Sequence, residues 1–143
     1  MAKLPWKPWH EVVKLRDDLL SGELPLHMFA ADLYEVMMQR GKRPVYEKPE
    51  HFFALTFPTY NLRHLVRDVV LRLAGKNDKA VRQLELTYGG GKTHTLITLR
   101  HLVHDPENLP NLPAVAEFVQ EIGQKPPKCR VAGLCFDKLD VEK

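Results

Sequence analysis

The sequence predicts an α/β fold. A helical N-terminal region (1–79) leads into the first part of a parallel sheet (80–143), laid out as strand, loop, helix and strand and incomplete as it stands. Three observations predict it. Apolar residues recur at helical spacing through much of 10–74. A short apolar run from Val81 to Leu86 then gives way to a glycine-rich stretch and a second helical pattern. A further apolar run, Cys129 to Phe136, reads as another strand.

Taken in order, residues 1–9 form an extended arm interrupted by Pro5 and Pro8. A helix over 10–21 has Val12, Val13, Leu15, Leu19 and Leu20 on one face and ends at Ser21-Gly22. A second helix, from about Pro25 to Arg40, turns Phe29, Ala30, Leu33, Val36 and Met37 inward and stops at Gly41. Residues 42–49 are polar, hold Pro44 and Pro49, and read as a loop. A third helical stretch spans Glu50 to Thr56, broken by Pro58. Thr59 then caps the clearest helix of the chain, 60–74, where Leu62, Leu65, Val66, Val69, Val70 and Leu73 keep helical spacing. Gly75 to Lys79 is a turn. The strand (81–87), the loop (88–93) and a helix (92–104) follow, then a proline-broken loop (105–112), a short helix (113–122) ended by Gly123, and the strand 129–136.

The stretch Thr87-Tyr88-Gly89-Gly90-Gly91-Lys92-Thr93-His94-Thr95 carries the chemistry. Glycines let backbone N–H groups converge on an anion with no Cβ in the way. A helix starting at Lys92 adds unpaired donors and the positive end of its dipole. The Lys92 ammonium can reach outer phosphates, and the Thr93 hydroxyl is placed to ligate Mg²⁺. Strand, glycine loop, Lys-Thr and helix together form the layout of a phosphate-binding P-loop. Gly91-Lys92-Thr93 fits the end of the general pattern, while Leu86 stands at its first-glycine position. The predicted nucleotide-binding set is Gly89, Gly90, Gly91, Lys92, Thr93 and His94, with ATP and Mg²⁺ as ligands.

Other constellations carry less. His94, His101 and His104 can share one helix face, but no carboxylate or thiolate stands at matching spacing for a metal, and packed or surface histidines are the preferred reading. Asp137 closes the run from Val131 as the acid of a Walker B strand does, holding Mg²⁺ through water; Lys138 follows it where many ATPases have a second acid. Arg63, Arg67 and Arg72 lie away from the apolar face of 60–74, as a basic stripe for phosphates or as a solvated face. Cys129 and Cys135, the two cysteines, imply no disulfide framework and read as buried thiols. A hydrophobic fraction of 44%, a charged fraction of 27% and a net charge of +3 are ordinary for a soluble globular protein. No apolar run approaches membrane-spanning length and the N-terminus has no signal-peptide core, so the expected compartment is the cytoplasm.

Two strands do not make a covered parallel sheet, and length with topology predicts a fragment, a truncated reading frame or one piece of a larger assembly. The strings Trp9-x-x-Val12, Asp17-Asp18-Leu19-x-Ser21-Gly22-Glu23-Leu24, Met28-Phe29-Ala30-Ala31-Asp32-Leu33, Phe53-x-Leu55-Thr56-x-Pro58-Thr59, Gly89-Gly90-Gly91-Lys92-Thr93-His94-Thr95 and Phe136-Asp137-Lys138-Leu139 resemble the N-terminal part of domain of unknown function 499. The resemblance covers essentially the whole chain, and implies a large prokaryotic AAA+-like ATPase, often linked to DNA-modification and anti-phage defence clusters. It implies ATP binding through Gly89 to Thr93, and by analogy with related ATPases it places residues near 56–62 against the base. The family's downstream acidic and arginine elements have no counterpart here, so hydrolysis needs elements supplied from elsewhere. The leading expectation is therefore an ATP-binding segment partnered by the rest of an ATPase or other subunits. The alternative is a non-enzymatic module, derived from a truncated ATPase, that binds DNA or protein.

Overall fold

The computed structural model describes residues 6–15, 20, 30–85, 87 and 89–136. They belong to two units, residues 1–30 and 31–143. In the first, α1 (Trp9–Val12) begins after Pro8, whose extended backbone supplies the entry to the helix, and the Trp9 ring meets His10 edge-on at 5.9 Å. Residues 13–15 are not helical, so the expected helix over 10–21 does not run continuously, and much of its remainder lies outside the described residues.

The second unit is built of α2 (Leu33–Met38), α3 (Pro44–Glu47), α4 (Pro49–Ala54), α5 (Tyr60–Leu73), α6 (Lys92–His104) and α7 (Pro113–Ile122), with a 3₁₀ turn at Pro106–Asn108. Local chemistry sets their ends. Asp32 Oδ1 accepts from the amides of Tyr34 at 3.0 Å and Glu35 at 3.3 Å, capping α2, which Gln39 ends at φ 50°. Residues 42–49, expected as loop, contain the single turn α3. Its Glu47, buried, takes the amides of Gly41 at 2.6 Å and Arg43 at 2.7 Å and so ties the preceding loop down. Thr59 caps α5 as expected, through Leu62 N. Gly123, at φ 75°, ends α7 with its amide on the Val119 carbonyl.

The core is one cluster: Val36 of α2, Phe52 and Phe53 of α4, Val66 and Val70 of α5, Ile97, Leu102 and Val103 of α6, and Val115, Phe118 and Ile122 of α7. Helix α5 packs most extensively on α7. Arg63 spans the seam, reaching Glu117 at 2.7 Å, with Glu121 3.9 Å from both Arg63 and Arg67.

The expected α/β class is wrong for this part of the chain: among the described residues there is no strand and no sheet, and the architecture is all-α. The two apolar runs show why. Between Val81 and Glu85 burial alternates, with Arg82 and Leu84 half-buried and Val81, Gln83 and Glu85 exposed. Arg82 bonds Asp68 of α5 at 2.8 Å. The segment lies one-sided along a helix. Period-two burial is a property of one extended chain, whereas a strand needs a hydrogen-bonded neighbour, which this segment lacks among the described residues. Residues 129–135 repeat the case: the Cys129 amide donates to the Val103 carbonyl at 2.7 Å, covering the end of α6, with no ladder beyond it. Cys129 and Cys135 are half-buried rather than buried.

Candidate functional site

The start of α6 is built by glycine. Gly89 (φ 79°) and Gly91 (φ 82°) both sit in the left-handed region, and the Gly90 amide closes a turn on the Thr87 carbonyl at 3.0 Å. A β-carbon on Gly91 would meet nothing within 4 Å, so glycine is required by backbone angle and not by space. Gly91→Ala should therefore cost about 1–2 kcal/mol, the left-handed penalty of an L-residue, read as a lower urea midpoint.

Intrahelical bonding begins with Thr95 N on Gly91 O at 2.9 Å. The amides of Gly91, Thr93 and His94 lie outside that ladder, and among the described residues no side chain caps them. Their dipoles and the helix dipole point the same way, an arrangement that favours negative charge. Lys92, exposed, folds its ammonium back on the Thr87 carbonyl at 3.0 Å, across the mouth of the loop. Thr95 and Thr98 spend their hydroxyls on the carbonyls of Gly91 and His94, both at 2.9 Å. Thr93 shows no such back-bond among the described residues, so its hydroxyl is the one available at the helix start.

His94 joins this loop to the core. Thr56 Oγ1 donates its single proton to the Phe52 carbonyl at 2.7 Å, so at 3.2 Å His94 Nε2 must be the donor to Thr56. The ring lies 4.5 Å from that of Phe52. Burial lowers its pKa and keeps the imidazole neutral at pH 7. Of the predicted site residues, then, His94 can offer an anion its main-chain amide, while its side chain is structural.

Beside the glycines opens a cleft of about 560 Å³. Gly89, Gly90, Gly91, His94 and Thr95 form one wall; Phe57, Thr59, Asn61, Leu62, Leu65 and Leu84 form the other. Phe57 stands on its rim with 80% of its surface exposed. The segment near 56–62 is thus brought against the loop. Sequence reasoning did not find Leu65 and Leu84 as cleft residues, because their apolar character reads only as core or strand.

The remaining described candidates part company with this cleft. Asp137 and Tyr88 lie outside the described residues. His101 is buried and donates Nε2 to the Tyr46 carbonyl at 2.8 Å, so it clamps α6 to α3. Among the described residues no three histidines, cysteines or carboxylates gather as metal ligands. Arg63 and Arg67 face Glu117 and Glu121, and Arg72 donates to the Asn77 carbonyl at 3.1 Å, so the basic stripe is neutralised or engaged within the domain. No described helix is long and apolar enough to cross a membrane.

Fold and site define a small helical domain with an uncapped, glycine-led helix start opening on a mixed cleft. The family follows from the sequence: the family model for the DUF499 N-terminal domain matches residues 8–130, and the chain belongs to the DUF499 family. No curated protein and no solved structure matches the chain.

Proposed function

We propose that this domain binds a nucleotide, by default ATP with Mg²⁺, with its polyphosphate at the start of α6. The observation that carries the reading is the start of α6, where the main-chain amides of Gly91, Thr93 and His94 lie outside the helix ladder with no side-chain cap, beside an open cleft. In this reading Gly89, Gly90 and Gly91 wrap the phosphates, Lys92 swings from Thr87 to the β- and γ-oxygens, and Thr93 ligates Mg²⁺. Phe57 offers a face for the base, and the Asn61 amide both donates to and accepts from its edge.

No acidic residue lines the cleft among the described residues, so the activity supported for these residues is binding. Hydrolysis requires a group to orient water and a cation for the transition state, and both would come from other parts of an AAA+-like ATPase. The cytoplasm is the compartment that suits such a ligand. The alternative of a nucleic-acid module has less behind it, because the arginines that would carry it already face carboxylates.

Calorimetric titration with Mg²⁺-ATP tests the proposal. Lys92→Ala should weaken binding by about 10- to 100-fold, since a charge-assisted hydrogen bond contributes about 1.5–3 kcal/mol. The urea midpoint should stay near that of the wild type, because the ammonium is exposed. Equal affinities, or no heat for either protein, would remove the proposal.

A further inference from the structure

The hydroxyl of Thr56 links the two walls of the cleft at the start of α6. Thr56 lies between α4 and α5, one residue before Phe57, and only 7% of its surface is exposed. Its hydroxyl donates to the Phe52 carbonyl at 2.7 Å and accepts from His94 Nε2 at 3.2 Å. His94 belongs to the first turn of α6, so this pair ties the segment that carries Phe57 to the helix that carries the glycine loop. The anchor is fixed in the core. The His94 ring lies 4.5 Å from that of Phe52, inclined at 32°, and Phe52 is buried.

Phe57 depends on such an anchor. Its ring is largely exposed, so core packing does not set its position. The Thr59 amide donates to the Phe57 carbonyl at 2.9 Å, and Arg63 donates to the Pro58 carbonyl at 3.0 Å. These bonds hold the segment to itself and to α5. The Thr56–His94 bond holds it to α6. The span between the α6 amides and the Phe57 ring therefore depends on one buried hydroxyl and one imidazole. A ligand that engages both ends at once is sensitive to that span, since a displacement of about 1 Å is enough to forfeit a positioned contact.

We propose that His94 is a positioning residue of the nucleotide site: through Thr56 its imidazole sets the span from the start of α6 to Phe57, and so makes the domain select whole nucleoside triphosphates over bare polyphosphate. The inference rests on the nucleotide reading of this cleft. The imidazole acts through Thr56, because its Nε2 proton is committed to that hydroxyl. The main-chain amides at the start of α6 serve any polyphosphate alike. The nucleoside adds affinity only where the ring of Phe57 stands at stacking distance from a base whose phosphates already occupy those amides.

Calorimetric titrations of the full chain with Mg²⁺-ATP and with Mg²⁺-tripolyphosphate separate the two ends of the site. The wild type should bind ATP about tenfold more tightly than tripolyphosphate, as expected for one base stacked on an aromatic ring. Thr56→Val keeps the shape of a side chain that is not part of the cleft lining and removes its hydroxyl. It should bring ATP to within about twofold of tripolyphosphate and leave tripolyphosphate affinity unchanged. Thr56→Ser restores the hydroxyl and should restore the preference. A second pair guards against a misfolded valine variant: His94→Leu should lose the preference, and His94→Gln, whose amide can still donate to Thr56, should keep most of it. No binding of either ligand by the wild type would remove the nucleotide reading itself. Wild-type binding with no preference for ATP, or a preference that survives in Thr56→Val and His94→Leu, would overturn the positioning role alone. So would an equal loss of both ligands in these variants, which would mean that the bond holds the glycine loop and not the span to Phe57.

Discussion

Phe118→Ala should destabilise the domain by about 3–5 kcal/mol, the cost of emptying a buried aromatic site. Phe118 has no exposed surface, and its ring meets Phe53 at 6.1 Å in an edge-on arrangement. It lies where α7 closes over α4 and α5, so neighbouring side chains cannot all collapse into the space without moving a helix. Urea unfolding should show a lower midpoint at unchanged slope. The Arg63–Glu117 pair one residue away makes the contrast. It is partly exposed, so its loss should cost less than about 1 kcal/mol. A Phe118→Ala effect as small as that would mean that the core described here is not what holds the helices together.

Acid should weaken the fold through His101. Burial, reinforced by the nearby Arg100 and His104 charges, lowers its pKa from 6.5 to about 4, against opposing contributions from the Tyr46 hydrogen bond and Glu50. The unfolded chain takes up a proton near pH 6.5, whereas the folded chain resists it until about pH 4. Stability from this group is therefore complete above pH 6.5 and falls as pH drops towards 4, by up to about 3 kcal/mol. His94, lowered by burial as well, adds to the fall in the same direction. Urea midpoints measured from pH 7.5 to 4 should decline across that window. His101→Gln, whose amide can still donate to the Tyr46 carbonyl, should flatten the slope. A midpoint constant from pH 6.5 to 4 would contradict the described packing of α6 on α3.

The helices that were legible carry their own punctuation. Thr59 before 60–74 and Gly123 after 113–122 mark ends that need no tertiary information, and the glycines and Lys92 mark the start of α6. What could not be read was pairing. Val81 to Leu86 and Cys129 to Phe136 have the composition of strands, but composition cannot say whether a neighbour is present to hydrogen-bond. Arg82 decided the first case by bonding Asp68 on a helix. The turn of α3 was hidden for a related reason: Glu47 in a polar, proline-bounded stretch looks like a solvated loop residue until its carboxylate is seen holding the Gly41 and Arg43 amides. At the site, residue types located the glycine wall of the cleft, while Leu65 and Leu84 needed coordinates because any helical or extended register could have used them elsewhere. His94 stands at the loop, but its side chain serves Thr56.

The central claim concerns the amides at the start of α6, and an ¹⁵N–¹H NMR titration of the chain with Mg²⁺-ATP addresses it most directly. The amides of Gly89, Gly91, Thr93 and His94 should move together and saturate at one ligand concentration, with Phe57 and Asn61 following. Unmoved amides at these positions, or shifts gathered instead around Arg63 and Arg67 of α5, would contradict it.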